Sequence, residues 1–244
     1  MGNRIRALRD RFSDWYSLRQ PPRLLRLLSI PIAQQIQSDP WTYESARMIA
    51  TACAFVGFNG VEGDYLEFGV FVGRTFVHAW RAGRHRPGMR FHAFDSFAGL
   101  PDPEGGDRGG NFHKGDFLSS RSMFERNLAR HRVDRSRVTI TEGFFDQTLT
   151  PERRQEIGLT RAALVWIDCD LHASTVPALH FVTDLLQDGS IICFDDWHCF
   201  KGDPNRGEQL ACQEWLAANP RITLSPYRSF HWGGQSFIVR KPPR

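Results

Sequence analysis

The sequence predicts an α/β fold: a mostly parallel, seven-stranded sheet with helices on both faces, preceded by an N-terminal helical extension. Two observations carry this. From Asp64 onward, short apolar runs alternate with helical stretches, the pattern of strands joined by crossover helices. The first of those runs, Tyr65-Leu66-Glu67-Phe68, breaks into a glycine-bearing turn, Gly69-Val70-Phe71-Val72-Gly73. Such a turn after the first strand lets backbone approach a nucleotide-like ligand.

Residues 1–60 read as the helical extension and 61–244 as the α/β domain. In the extension, Gln20-Pro21-Pro22, Ile30-Pro31 and Asp39-Pro40 punctuate helical patterns. A helix is expected over 43–58. Strands follow at 65–68, 90–94, 138–141, 163–167, 190–194, 222–225 and 236–240, and helices at 75–82, 121–130, 151–156, 174–186 and 207–218. Sheets of this kind bind ligands at the carboxyl ends of their strands.

Composition bounds the function. The chain has 244 residues, 41% apolar and 12% aromatic, enough for a substantial core. Its formal charge is +4, with arginines concentrated near the N-terminus, a pattern that reads as a solvated helix face. Basic residues are not interleaved with aromatics in one patch, so no nucleic acid is expected as partner. No apolar run reaches the ~20 residues that span a bilayer. Five cysteines without C-x-x-C spacing and without a secretory leader point to a reducing, cytoplasmic setting.

The first turn has the spacing E-x-G-x-x-x-G, not the G-x-G-x-x-G of a phosphate cradle. No Lys-Ser or Lys-Thr follows it, which excludes a P-loop at this position. Glu67 would repel a pyrophosphate, so a ligand with a positive charge fits better. Four later strands also end in acids: Asp95, Glu142, Asp168-Cys169-Asp170 and Asp195-Asp196. Gathered on one sheet edge, these carboxylates would repel one another unless a cation or a hydroxyl-rich ligand relieved them. Asp95 follows the glycine turn by an interval suited to binding a ribose diol, or it caps the turn into Phe97. Asp168, Asp195 and Asp196 suit a hard cation such as Mg²⁺. Asp170 is expected to face away, because alternate residues of an extended segment point to opposite sides. His172 and His198 lie close by in sequence and keep a softer metal open.

At these residues the chain resembles the macrocin O-methyltransferase (TylF/MycF-type) family of class I S-adenosylmethionine-dependent methyltransferases. The matching pieces are 66–70, 95–101, 142–149, 168–175 and 195–197. The resemblance implies a Rossmann-like methyltransferase that transfers a methyl group to a hydroxyl of a small molecule, a sugar or glycosylated natural product. The cofactors it implies are S-adenosylmethionine and Mg²⁺. It places Glu67 and Gly69 at the amino-acid end of the cofactor, Asp95 with Ser96 at the ribose, and Gly143 and Phe144 at the adenine. Phe68, Gly73, Thr75 and Asp168 complete the candidate cofactor set. Asp168, Asp195 and Asp196 match the metal ligands, with Asp168 also the candidate general base.

Two departures from the family pattern stand out. His172 replaces the family's usual Tyr, which makes His172 and His198 further candidate catalytic residues. The stretch 198–207 is longer than the family turn and sits where an acceptor would enter. The glycine-rich segment 99–116 reads as a lid, in which His113 and Lys114 could meet an anionic acceptor. A homodimer is a further expectation. Two other readings compete. An NAD(P)-dependent oxidoreductase is disfavoured by the missing G-x-G-x-x-G and Tyr-x-x-x-Lys. A non-catalytic S-adenosylmethionine-binding protein is disfavoured by the clustered Asp168, Asp195 and Asp196.

Overall fold

A computed structural model describes residues 40–242. The extension expected over 1–39 lies outside the described residues. The first described helix, α1 (Pro40–Phe58), buries Met48, Ile49, Ala52 and Val56 against the sheet. The compact unit therefore begins at Glu44, well before the boundary read at residue 61, because α1 supplies core side chains to the domain.

Strand β1 (Asp64–Phe68) leads into α2 (Arg74–Gly83) and β2 (Phe91–Asp95). Helix α3 (Arg121–Arg130) precedes β3 (Val138–Glu142), and two short helices, α4 (Phe145–Thr148) and α5 (Pro151–Glu156), precede β4 (Ala162–Ile167). Then come α6 (His172–Val182), β5 (Leu186–Phe194) and α7 (Gly207–Ala218). The antiparallel hairpin of β6 (Thr223–Phe230) and β7 (Gly234–Arg240) closes the chain.

The sheet runs β3-β2-β1-β4-β5-β7-β6. Its first five strands are parallel, and β7 pairs antiparallel with β5. All five residues of β1 are buried, as expected of a central parallel strand covered on both faces. The side chains alternate between two cores. Tyr65 joins Phe76, Phe91 and Phe124 on the α2/α3 face, whereas Leu66 and Phe68 join Leu179, Val182 and Trp215 on the α6/α7 face. Chain order reverses between β1 and β4. Their carboxyl ends therefore form the switch point at which such sheets bind ligands.

Several expected boundaries move, two of them for a local reason. The helix read over 174–186 stops at Val182, and Leu185 and Leu186 turn into strand pairing: Leu185 O accepts from Ala162 N at 2.9 Å, and Leu186 registers with Ala162. The strand read over 222–225 extends to Phe230. Pro226 is tolerated within it because β6 is an edge strand with a register shift at that point.

Candidate active site

The glycine turn is a steric solution. Gly69 has φ 84°, and a Cβ there would lie 1.9 Å from the Asp168 carbonyl oxygen. The ends of β1 and β4 touch so closely that no other residue fits. The contact is held by Asp168 N–H donating to Phe68 O at 2.9 Å, and Gly69 N–H donates to Phe94 O of β2 on the other side, also at 2.9 Å. Gly73 (φ 80°) is needed for another reason, since a Cβ would strike the Phe124 ring at 2.6 Å. It seats α3 on the turn and is not part of the cleft wall.

A cleft opens above this contact. It encloses about 550 Å³, part of it open to solvent, and its wall includes Gly69, Asp95, Ser96, Phe144, Asp168 and Asp170. Of the predicted cofactor set, five residues line it: Gly69, Asp95, Ser96, Phe144 and Asp168. Phe68 does not, because its ring stacks on Phe94 at 4.7 Å in the α6/α7 core. Gly143 lies behind the wall, where its N–H donates to Asp95 O at 2.9 Å and a Cβ would strike the Thr148 methyl. Glu67 also lies behind it. Fully buried, it accepts a 2.5 Å hydrogen bond from the Tyr65 hydroxyl and another from Thr75. Burial pushes the Glu67 carboxyl up to about 8 against the pull of those hydroxyls, with Asp195 and Asp95 adding repulsion.

Asp95 ties the turn together. One oxygen accepts from the N–H groups of Val70 and Phe71 at 2.8 Å, and the other from Phe97 N–H at 2.7 Å. Burial raises its pKa and these three backbone bonds oppose the rise. The capping role left open by the sequence is thus present, on a carboxylate that also faces the cleft. Ser96 Oγ accepts from Ala98 N–H at 3.1 Å and donates to Gly99 O at 3.0 Å. Glu142, in register with Asp95, instead meets Arg121 at the surface at 3.2 Å.

The acids of β4 and β5 form the electrostatic centre. Carboxylate oxygens of Asp168, Asp170 and Asp196 lie within 4.8 Å of one another. Asp170 stands in this group where the sequence reading has Asp195. Asp170 turns inward because the strand ends at Ile167 and Asp170 adopts φ 60°, so strand alternation no longer governs it. Asp195 is engaged elsewhere: its Oδ1 accepts from His231 Nε2 at 3.2 Å. His231 Nδ1 accepts from Gly233 and Gly234 N–H at 3.0 and 3.2 Å, which assigns the ring proton to Nε2.

Asp196 Oδ1 accepts from the Cys199 thiol at 3.2 Å, and its N–H donates to Glu208 Oε2 at 3.0 Å. Asp196 Oδ2 and Glu208 Oε1 are buried with no hydrogen-bond partner among the described residues. Burial, then mutual repulsion, pushes Asp168, Asp170 and Glu208 well above the carboxylate range. Burial and Asp195 push Asp196 up to about 7. Three converging carboxylates beside a buried, unpartnered oxygen are a donor set that fits a hard divalent cation.

Residues 45–209 match the family described as macrocin-O-methyltransferase (TylF). The chain belongs to that family. A curated relative, the 8-demethyl-8-(2,3-dimethoxy-alpha-L-rhamnosyl)-tetracenomycin-C 4'-O-methyltransferase of Streptomyces olivaceus, is 28% identical over 147 residues, 57% of this chain and 54% of the relative. The chain thus matches about half the length of that relative. Among solved structures, the calicheamicin methyltransferase CalS11 is similar with a TM-score of 0.68 and 23% identity, covering 91% of this chain and 94% of that one. The O-methyltransferase NovP has a TM-score of 0.67 and 23% identity, covering 82% and 80%. Both likenesses confirm the Rossmann-like methyltransferase fold.

Neither histidine named as a catalytic candidate lines the cleft of this macrocin-O-methyltransferase family member or bonds to Asp168, Asp170 or Asp196 among the described residues. His172 opens α6, where its N–H donates to Asp107 Oδ1 at 3.0 Å, and its Nε2 meets Glu214 Oε2 at 2.7 Å. Its ring is held by α7. His198 is exposed, and its N–H donates to Gly233 O at 2.9 Å. The histidine beside the acids is His231, which sequence reasoning missed because the hairpin brings it 36 positions back to Asp195. Phe145, Leu100, Pro101, Phe117, Cys169 and Ser174 also line the cleft unpredicted.

Proposed function

We propose that this macrocin-O-methyltransferase family member transfers a methyl group from S-adenosylmethionine to a hydroxyl of a sugar-bearing small molecule, with a divalent cation, Mg²⁺, at Asp168, Asp170 and Asp196. The observation that carries the reading is the convergence of those carboxylates in one cleft with Gly69 and Asp95. The family places S-adenosylmethionine in such a cleft. The relative's rhamnosyl acceptor makes a deoxysugar hydroxyl the first candidate.

When bound, the sulfonium cofactor supplies an electrophilic methyl, and the cation lowers the pKa of the acceptor hydroxyl. The chain's residues do the rest. The Asp95 carboxylate, preorganised by three backbone N–H groups, keeps lone pairs for a ribose diol. Phe144 and Phe145 offer apolar surface to the adenine. Glu67, beneath the turn, is the carboxyl that the cationic amino-acid tail would draw toward ionisation. Asp168 would take the hydroxyl proton as the acceptor oxygen receives the methyl group that the bound sulfonium would supply, leaving a neutral thioether. Holding oxygen and methyl in line is worth several orders of magnitude in rate.

His231 supports this centre as a positioning residue through Asp195. Among the described residues no helix is long and apolar enough to cross a membrane, and all five cysteines are free thiols. The thiols support the cytoplasmic placement. The test is transfer of labelled methyl from S-adenosylmethionine to a panel of rhamnosides, with Mg²⁺ and with EDTA. Transfer that EDTA abolishes supports the full reading, whereas transfer untouched by EDTA removes the cation from it. No transfer to any rhamnoside removes the deoxysugar.

A further inference from the structure

One buried carboxylate beside the acids of β4 and β5 has no part in the methyl transfer as described. Glu208 lies in the first turn of α7, where an acid ordinarily faces solvent and complements the positive end of the helix. Here it is 1% exposed. The start of α7 is fixed from the lid segment: Arg206 Nε donates to Gly106 O and Nη2 to Arg108 O, both at 2.6 Å. Just beyond that anchor, Glu208 Oε2 accepts from Asp196 N–H at 3.0 Å.

That hydrogen bond does not account for the side chain. A glutamine oxygen would accept the same N–H without burying a charge. Glu208 Oε1 is buried with no hydrogen-bond partner among the described residues, and so is Asp196 Oδ2. An unmet buried oxygen costs more than one neighbouring hydrogen bond returns, and proteins keep such oxygens where an ion or a water meets them. The charges that act most strongly on Glu208 are Asp196, Asp195 and Asp170, and all of them repel it. Acids gathered in this way oppose folding unless a cation answers them.

Distance decides how Glu208 would reach that cation. The direct ligands of one hard cation sit ~2.1–2.4 Å from it, so their oxygens lie within about 4.8 Å of one another. Asp168, Asp170 and Asp196 meet this condition, and the group does not extend to Glu208. Mg²⁺ also keeps several of its waters. A water ~2.1 Å from the ion and hydrogen-bonded over ~2.8 Å brings a carboxylate oxygen about 4–5 Å from the ion into play.

We infer that Glu208 is a positioning residue of the cation site: its Oε2 orients Asp196 through the backbone N–H, and its Oε1 accepts a hydrogen bond from a water of the cation. The fourth negative charge strengthens the hold on the ion without taking a direct coordination position from the acceptor. This rests on the cation in the reading above and deepens it by naming a residue outside the three aspartates.

The test is titration of the full chain with Mn²⁺, followed by electron paramagnetic resonance, beside thermal unfolding of each variant without metal. Glu208→Gln keeps an acceptor for the Asp196 N–H and removes the charge. Its Mn²⁺ affinity is expected to fall about tenfold, while its metal-free Tm equals or exceeds that of the wild type, because a repelled buried charge is gone. Glu208→Met, apolar and of similar length, is expected to lose at least as much affinity. Glu214→Gln, at an exposed position of the same helix, leaves the affinity unchanged. A merely structural Glu208 gives the opposite pattern: Tm falls in Glu208→Met and is restored in Glu208→Gln, with Mn²⁺ affinity unchanged in both. That pattern, or unfolding of both variants, overturns the inference. A wild type that binds no Mn²⁺ overturns the cation in the reading above, a result distinct from a wild type and a Glu208→Gln variant that bind it equally well.

Discussion

Asp170 faces Asp196 across the ends of β4 and β5, and Asp168 completes a group whose oxygens lie within 4.8 Å of one another. Asp195, although adjacent to Asp196, is turned to His231. The cation affinity should divide accordingly. Asp170→Asn and Asp196→Asn are expected to weaken Mn²⁺ binding at least about tenfold, and Asp195→Asn by less. Titration of Mn²⁺ followed by its electron paramagnetic resonance signal measures this. Equal loss at Asp195 and none at Asp170 would restore the trio first read from the sequence.

Asp95 has both a structural and a binding role. Asp95→Ala strands the N–H groups of Val70, Phe71 and Phe97, for a cost of about 2–4 kcal/mol. Denaturant unfolding should show that loss. Calorimetry on the folded variant should show S-adenosylhomocysteine affinity falling at least about tenfold, because the ribose loses its acceptor. A stability loss with unchanged affinity would leave Asp95 only its capping role.

Glu67 gives a pH signature. Its folded pKa of about 8 lies above the ordinary value of 4.5, so the fold favours the protonated carboxyl. Its contribution is fully present below about pH 4.5 and is lost as pH rises toward 8. Glu67→Gln, neutral at every pH, should remove this component: the fall in Tm between pH 5 and pH 8 should be smaller than in the wild type. Parallel pH profiles of the two proteins would contradict it.

Arg206 holds the lid by two bonds to backbone carbonyls. Arg206→Ala should speed amide hydrogen exchange in residues 105–112 and leave the central strand β1 protected. Unchanged exchange in the lid would mean that Asp107, whose carboxylate accepts from the N–H groups of His172 and Ala173 at 3.0 and 3.3 Å, holds it alone.

Much of the fold was legible because its signals are local. The strand β1, the Gly69 turn and the acids closing β2, β4 and β5 each sit within a few residues, and the mostly parallel sheet followed from alternation. The cleft wall was legible where backbone position alone decides, as at Gly69, Asp95, Ser96, Phe144 and Asp168. It failed where one residue's conformation or a distant element decides. The left-handed backbone at Asp170 reverses the side read from strand periodicity, and His231 reaches Asp195 only through the β6–β7 hairpin. Glu208 looks like an ordinary first-turn acid of α7 until its burial beside Asp196 is seen. His172 looks catalytic from its neighbours but is captured by Glu214 across the helix pair. Phe68 is adjacent to the cleft in sequence, yet strand alternation sends its ring into the core.

The central claim is that the cleft formed by Gly69, Asp95 and the acids of β4 and β5 binds S-adenosylmethionine. Titration calorimetry of the full chain with S-adenosylhomocysteine tests it most directly. One saturable site per chain, weakened in Asp95→Ala, is the predicted result. Absence of saturable heat at millimolar ligand, or equal binding by wild type and Asp95→Ala, would contradict it.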